Sequence, residues 1–253
     1  MSGFMNPAEF ANIHAVEEHF WWYRGMRKIL FRMLDPLLPV RPPDRVLEAG
    51  CGTGYFSEML QRERGWPMVA LDLSAEGLRY ARQHGVEQPV QADIGTLPFA
   101  DESFDLTLSI DVIVHLPRGE ESAAANELSR VTRRGGLVVV RVGALDVLRS
   151  RHSEFIFERQ RFTRNRLVRT MAEAGIRVLR CTYANSLLLP VAFAKFRIWE
   201  PLTHAPLGSG VEPAPPWLDR LLYAPLAAES AWIGSGRNLA LGQSLILIGE
   251  KVT

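Results

Sequence analysis

Nine consecutive residues, Val46-Leu47-Glu48-Ala49-Gly50-Cys51-Gly52-Thr53-Gly54, constrain this chain more than any others. They read as a buried strand that ends in an acid and runs straight into a glycine-rich turn. A helix from Tyr55 to about Arg64 follows. Glycine has no Cβ to block a close approach and adopts positive φ at little cost, so such a turn brings bare backbone up to a ligand. The amide end of the following helix points at the same place. A nucleoside-containing ligand suits that arrangement.

Around the turn, short apolar strands alternate with amphipathic helices. The strands are Arg45–Glu48, Met68–Asp72, Val90–Ala92, Phe104–Ile110 and Gly136–Val142, and helices start near Tyr55, Ala75 and Glu120. This alternation predicts an α/β fold with a parallel sheet covered on both faces. Residues 1–40 read as helical and amphipathic, with an aromatic knot at Phe20-Trp21-Trp22-Tyr23, and Pro42-Pro43 separates them from the first strand. After Gly143 the pattern loosens through Ser150–Arg161. Thr163 then caps a helix over Arg164–Ala174, Gly175 stops it, and Ile176–Tyr183 reads as a strand. An apolar helix (about Leu187–Glu200), a Pro/Gly-rich linker (Pro201–Pro216) and a second helix (about Trp217–Trp232) precede a final strand at Leu239–Ile248.

A net charge of +1 over 253 residues gives no general attraction to nucleic acid or membrane. The two cysteines, Cys51 and Cys181, form no disulfide framework and lack paired metal-ligand spacing. No metal is expected, and reduced thiols point to a cytoplasmic protein. The longest apolar run, Leu187 to Ala194, is too short to span a bilayer and contains Pro190. No secretory signal is read at the N-terminus.

Three nucleoside binders use such a turn. A P-loop needs Gly-Lys-Ser/Thr, and Gly54-Tyr55-Phe56 offers no lysine. A dinucleotide fold wants G-x-G-x-x-G, and Tyr55 stands where the third glycine would fall. Asp72, ending the second strand, suits ribose hydroxyls but is common to several cofactors. Asp93, after the third strand, is placed to reach an adenine amino group and discriminates among them.

The ordered set Glu48-x-Gly50-Cys51-Gly52-Thr53-Gly54, Asp72 and Asp93-Ile94-Gly95-Thr96-Leu97-Pro98-Phe99-Ala100-Asp101-Glu102-Ser103-Phe104-Asp105 resembles the class I S-adenosylmethionine-dependent methyltransferases. It is closest to the small-molecule group that includes the ubiquinone/menaquinone-type enzymes (methyltransferase type 11). The resemblance covers roughly residues 44–145. It implies a Rossmann-like seven-stranded sheet, mostly parallel with a reversed last strand, with helices on both faces. It further implies an N-terminal helical lid (1–43) and a methyltransferase domain (44–253). That domain comprises a cofactor core (44–145) and acceptor-side segments (146–253) with a helical insertion at 187–235. S-adenosyl-L-methionine is then the cofactor and S-adenosyl-L-homocysteine the product.

By the same resemblance, Gly50, Gly52 and Gly54 pack under the methionine part of the cofactor, with Glu48, Cys51 and Tyr55 around them. Asp72 holds the ribose, Leu73 lies against the adenine, and Asp93 and Ile94 reach its edge. Ile110 and Asp111 sit beside the sulfonium. The segment Glu18 to Arg27 resembles one that closes over the methionine end in many of these enzymes. Some of Trp21, Trp22 and Tyr23 are expected in the core. One ring, with Arg24 or Arg27, is expected at the ligand, where aromatic faces hold a sulfonium and an arginine pairs with a carboxylate. Trp22, Tyr23 and Arg27 are the residues selected.

Methyl transfer from a sulfonium needs alignment and, for a hydroxyl or ammonium acceptor, a base. His115, following the fourth strand, is the first candidate as base or as pocket lining, and His152 the second. His19, on the lid, is a third. Nine arginines against three glutamates from Arg149 to Arg180 read as solvated surface ahead of an anionic-acceptor or RNA site. The insertion caps an apolar pocket, forms a homodimer face, or simply extends the core. The function expected is methyl transfer to O, N or C of a small hydrophobic or aromatic metabolite, with no nucleic-acid partner. The alternatives are a cyclase-type enzyme that uses the cofactor without methyl transfer, or a non-catalytic cofactor-binding partner.

Overall fold

The first strand, β1 (Val46–Ala49), is buried along its whole length, which places it in the middle of a sheet covered on both sides. The computed structural model describes residues 5–38, 41–204 and 206–252. Ahead of β1 lie α1 (Pro7–Val16) and α2 (Trp21–Leu34). Of the helical stretch expected over 1–40, residues 1–4, 39 and 40 lie outside the described residues.

After β1 the chain forms α3 (Tyr55–Arg64), β2 (Met68–Asp72), α4 (Ala75–Gln83), β3 (Val90–Gln91) and β4 (Phe104–Ile110). It continues through α5 (Glu121–Val131), β5 (Thr132–Gly143), the short α6 (Arg151–Phe155), α7 (Arg164–Glu173) and β6 (Ile176–Ala184). Then α8 (Leu189–Ala194) passes through a π-turn at Lys195–Trp199 into α9 (Glu200–Thr203), and α10 (Pro216–Gly234) and β7 (Ser244–Lys251) complete the fold.

The strands form one seven-stranded sheet in the order β3-β2-β1-β4-β5-β7-β6. β7 runs antiparallel to both β5 and β6, so the reversed last strand is present as expected. The order reverses between β1 and β4, and in an open α/β sheet a ligand crevice forms at the carboxyl ends of strands at that point.

Alternating side chains feed two cores. Leu47, Val138, Val140, Val142, Leu245 and Leu247 pack on one face, and Val46, Val139, Ile246 and Ile248 on the other. β4 switches faces midway, with Phe104 in the first core and Leu106 and Leu108 in the second, because the β4–β5 register shifts between Phe104 and Leu106.

Three sequence expectations need correction. The last strand starts at Ser244, because Leu239 donates its N–H to the Thr182 hydroxyl (2.8 Å) and a bend follows before pairing begins. The loose stretch after Gly143 contains α6, capped by the Ser150 hydroxyl. The nine arginines are not uniformly a solvated face. Arg161 holds Glu158, and Arg166 holds Glu121 and Gln160, both arginines being largely buried, while Arg180 donates to the Ile233 carbonyl (2.6 Å).

α2 is part of the second core as much as a lid, since Met26, Ile29, Leu30 and Met33 are buried there beside Leu226 and Ile233 of α10. The Asp219 carboxylate of α10 accepts the Trp21 N–H (2.8 Å) and pairs with Arg24. The insertion thus extends the core with α10 and leaves α8 and α9 over the cleft. No helix among the described residues is long and apolar enough to cross a membrane.

Candidate active site

The turn after β1 works because of what surrounds its glycines. Gly50 (φ 91°) would place a Cβ 2.1 Å from a Val112 methyl, and its N–H and that of Cys51 both donate to the Leu71 carbonyl (2.7 and 2.8 Å). Gly54 (φ 77°) would place a Cβ 2.5 Å from that of Ala81, so its bareness seats α4 and not a ligand. Gly54 is not among the residues that line the cleft beside it.

Between the turn, the lid and the insertion lies a cleft of about 770 Å³, within the range of small-molecule sites. The other cofactor-contact candidates all line it: Trp22, Tyr23, Arg27, Glu48, Gly50, Cys51, Gly52, Tyr55, Asp72, Leu73, Asp93, Ile94, Ile110 and Asp111. Each is held differently. Asp72 accepts the Gly52 N–H and the Ser74 N–H, both at 2.8 Å, one on each oxygen. Burial nevertheless raises its carboxyl above the usual range. Asp93 is exposed and accepts the Gly95 N–H (2.7 Å), an Asx turn that fixes the carboxylate. Glu48 is buried, accepts the Ser57 hydroxyl (2.5 Å), and is pushed up to about 8, chiefly by desolvation. Burial thus favours its neutral form. Cys51 is buried and its thiol pushed up by desolvation, so it is no nucleophile.

Of the two lid arginines, only Arg27 reaches the cleft. Arg24 turns away to Asp219 and the Tyr223 ring. Arg27 reaches the cleft over the Tyr55 ring, but its guanidinium donates to the carbonyls of Glu17 (2.8 Å) and Glu18 (2.9 Å). Those bonds fasten the α1–α2 corner. Trp22 and Tyr23 face the cleft, Trp22 with Arg141 stacked on its ring at 4.9 Å.

At the far end, His115 and His152 are brought into the same cleft, whereas His19 is exposed outside it. His115 sits on a 3-10 turn, Ile113–His115, just past β4. Its Nδ1 is buried without a hydrogen-bond partner, and desolvation lowers its pKa while a hydrogen bond to the Phe157 backbone opposes that. His152 is a poorer base. Its Nδ1 accepts the Gly210 N–H (2.9 Å), its ring also bonds the Gly208 backbone, and burial pushes its pKa down to about 4. Both bonds tie α6 to the linker that follows α9.

Several cleft residues were missed in the sequence. Arg141 is buried and pairs with Asp111 (2.6 Å), itself at φ 59° past the end of β4. An arginine inside the run Val138-Val139-Val140-Arg141-Val142 was a readable signal, since a charge in a buried strand requires a partner. Glu9 is buried, accepts from Asn12 (2.8 Å) and Ser209 (3.0 Å), and is raised by burial. Glu9 and Ser209 are too far apart in sequence to suggest one another.

Residues 47–140 match the family model described as Methyltransferase domain. That match covers the glycine turn, Asp72 and Asp93, the residues that carry the resemblance drawn from the sequence. A malonyl-[acyl-carrier protein] O-methyltransferase of Pectobacterium atrosepticum is 43% identical over 106 residues, 40% of each chain. A ubiquinone biosynthesis O-methyltransferase of Hahella chejuensis is 32% identical over 152 residues, 52% of this chain and 61% of the relative. The chain spans between 36% and 61% of the length of such curated relatives. Geranyl diphosphate C-methyltransferase from Streptomyces coelicolor A3(2), solved with S-adenosyl-L-homocysteine, shares the fold with a TM-score of 0.57 at 17% identity, covering 90% of this chain and 79% of that one.

Proposed function

We propose that the chain is an enzyme that moves a methyl group from S-adenosylmethionine to an oxygen, nitrogen or carbon of a small hydrophobic or aromatic acceptor, by in-line displacement. The observation that carries this reading is that one cleft is lined by two unlike sets of residues. One wall holds the glycine turn, Asp72 and Asp93, and the other is apolar, formed by Leu188, Val191, Phe196, Trp199 and Leu222.

The cradle fits the cofactor. A Cβ at Gly52 would meet no side chain closer than 3.9 Å, so bare backbone faces the space. Asp72 keeps lone pairs for ribose hydroxyls beyond those used by Gly52 and Ser74. Asp93 takes the adenine amino group, with Leu73 and Ile94 against the ring. Trp22, Tyr23, Ile110 and Asp111 surround the methionine end. When bound, the cofactor supplies a methyl that is already activated, so the protein's part is alignment and exclusion of water. For an O or N acceptor, the free Nδ1 of His115 takes the proton. His152 positions the linker over the acceptor chamber.

Exposed Phe193, Ile198 and Leu202 on the outer side of the insertion support a homodimer face there, which sedimentation velocity tests. The buried thiols Cys51 and Cys181 support a reducing, cytoplasmic setting.

The deciding experiment incubates the protein with methyl-labelled cofactor and metabolite fractions. Labelled product together with S-adenosylhomocysteine is expected. Tight cofactor binding with no turnover on any acceptor would favour the cyclase-type or non-catalytic alternatives. Binding of NAD in place of S-adenosylmethionine would overturn the cofactor assignment.

A further inference from the structure

His14 and Glu17 lie on the last turn of α1 and just beyond it, while His84 caps the C-terminal end of α4 on the sheet domain. Folding brings their donor atoms to one point. His14 Nδ1 lies 2.8 Å from His84 Nε2, His84 Nε2 lies 3.1 Å from Glu17 Oε1, and His14 Nδ1 lies 3.9 Å from Glu17 Oε1. A circle through three atoms so separated has a radius of about 2.0 Å, the length of a zinc–nitrogen or zinc–carboxylate bond. An ion just out of their plane thus stands at bonding distance from all three without any movement of the backbone.

The protonation chemistry points the same way. His14 Nδ1, His84 Nε2 and the Glu17 oxygen crowd together, yet two neutral imidazoles and a carboxylate place at least one bare lone pair against another unless a proton or a cation is shared. The first two contacts have hydrogen-bond geometry, so the lone pairs converge. The surroundings supply outer support of the kind metal ligands need. The other Glu17 oxygen accepts the Thr53 hydroxyl (2.5 Å), and the rings pack against Tyr80 (4.7 Å from His14) and Tyr55 (5.5 Å from His84). Among the described residues, no other group of three or more His, Cys, Asp or Glu donors converges in this way.

We propose that His14, Glu17 and His84 form a binding site for a divalent transition ion of the zinc class, with a fourth position left to water. Two imidazoles and one carboxylate select such an ion over magnesium or calcium. Two ligands come from the lid side and one from the sheet domain, so the ion clamps α1 onto α4 above the glycine turn through Glu17 and Thr53. Glu17 and Thr53 also line the cleft, so the ion borders the proposed cofactor site while taking no part in the methyl transfer.

The test titrates tag-free, chelator-treated full-length protein with Co²⁺ and then Zn²⁺. Expected are one equivalent of Co²⁺ giving visible bands of tetrahedral intensity, displacement by Zn²⁺, and a rise in Tm of about 5 °C or more at a hundredfold excess over Kd. His84→Ala and His14→Ala should each weaken binding at least tenfold and abolish the Tm rise. Because those substitutions also remove ring packing, Glu17→Gln serves as a second variant that keeps the side chain's shape while removing its charge, and it should weaken binding comparably. Absence of a stoichiometric site in the parent protein, or binding unchanged in all three variants, overturns the proposal.

Discussion

The two ends of the cleft are built on different plans. The nucleoside end draws on a contiguous stretch of chain, from β1 to the segment after β3, and Asp72 and Asp93 are fixed by backbone N–H groups from within that stretch: Gly52 and Ser74 on Asp72, Gly95 on Asp93. The acceptor end is assembled from α1, α2, α6, α8 and the linker before α10, fastened by side-chain contacts between residues far apart. Glu9 meets Ser209, Arg24 meets Asp219, and Arg151 donates its N–H to Glu200 (2.9 Å). A site held by local backbone geometry can be written into a short motif. One held by distant side chains can change its substrate while the cofactor wall stays intact.

The comparison predicts that the two ends fail in different measurements. At the acceptor end, His115→Ala should lower turnover by about 10²-fold or more while the S-adenosylhomocysteine Kd stays within about twofold. Unchanged turnover would make His115 a wall residue only. At the nucleoside end, Gly54→Val should destabilise the fold by about 3 kcal/mol in urea melts. It forces a β-branched side chain into the left-handed region and against Ala81. A small change in midpoint would show that α4 can give way.

Asp72→Ala should cost about 2–3 kcal/mol of cofactor affinity, from the ribose bonds and the released Gly52 and Ser74 amides. Calorimetric titration reads it, and a loss below about fivefold would break the assignment.

Glu48 gives a pH signature. Its folded pKa, about 8, lies above the ordinary carboxylate value, so the folded state binds more protons than the unfolded one between about pH 4.5 and 8. Its contribution is therefore lost as pH rises through that window. Glu48→Gln should flatten the decline across that window. Parallel Tm profiles of the two proteins would refute the raised value. The smallest effect is expected at the lid–insertion tie: Arg24→Ala should cost about 1 kcal/mol, because the pair is only partly buried.

Much of the fold was legible because the strands are apolar, short and separated by capped helices. Thr163, for instance, accepts the Arg166 N–H as its position before an amphipathic run implied. The final strand was overextended because Leu239 and Leu241 look like strand residues in a local window. Their placement is decided by pairing with β6 and by the bend before Ser244. At the candidate site, the glycine turn and its acids were readable from residue type and spacing. The partners that fasten Arg27 at the α1–α2 corner and His152 to the linker were not, since spacing says where a side chain starts and not what it meets.

By itself, the sequence from Val46 to Asp105 determined the parallel sheet, the switch point and the class of cofactor. Those rest on short-range rules: glycine at positive φ, acids at strand ends, and apolar runs between helices. Only the tertiary structure decided that Gly54 seats a helix and leaves the ligand to its neighbours, that Arg141 neutralises Asp111, and that His14, Glu17 and His84 share one point. These are contacts between segments that chain distance does not relate, and they exist only once both hydrophobic faces of the sheet are covered.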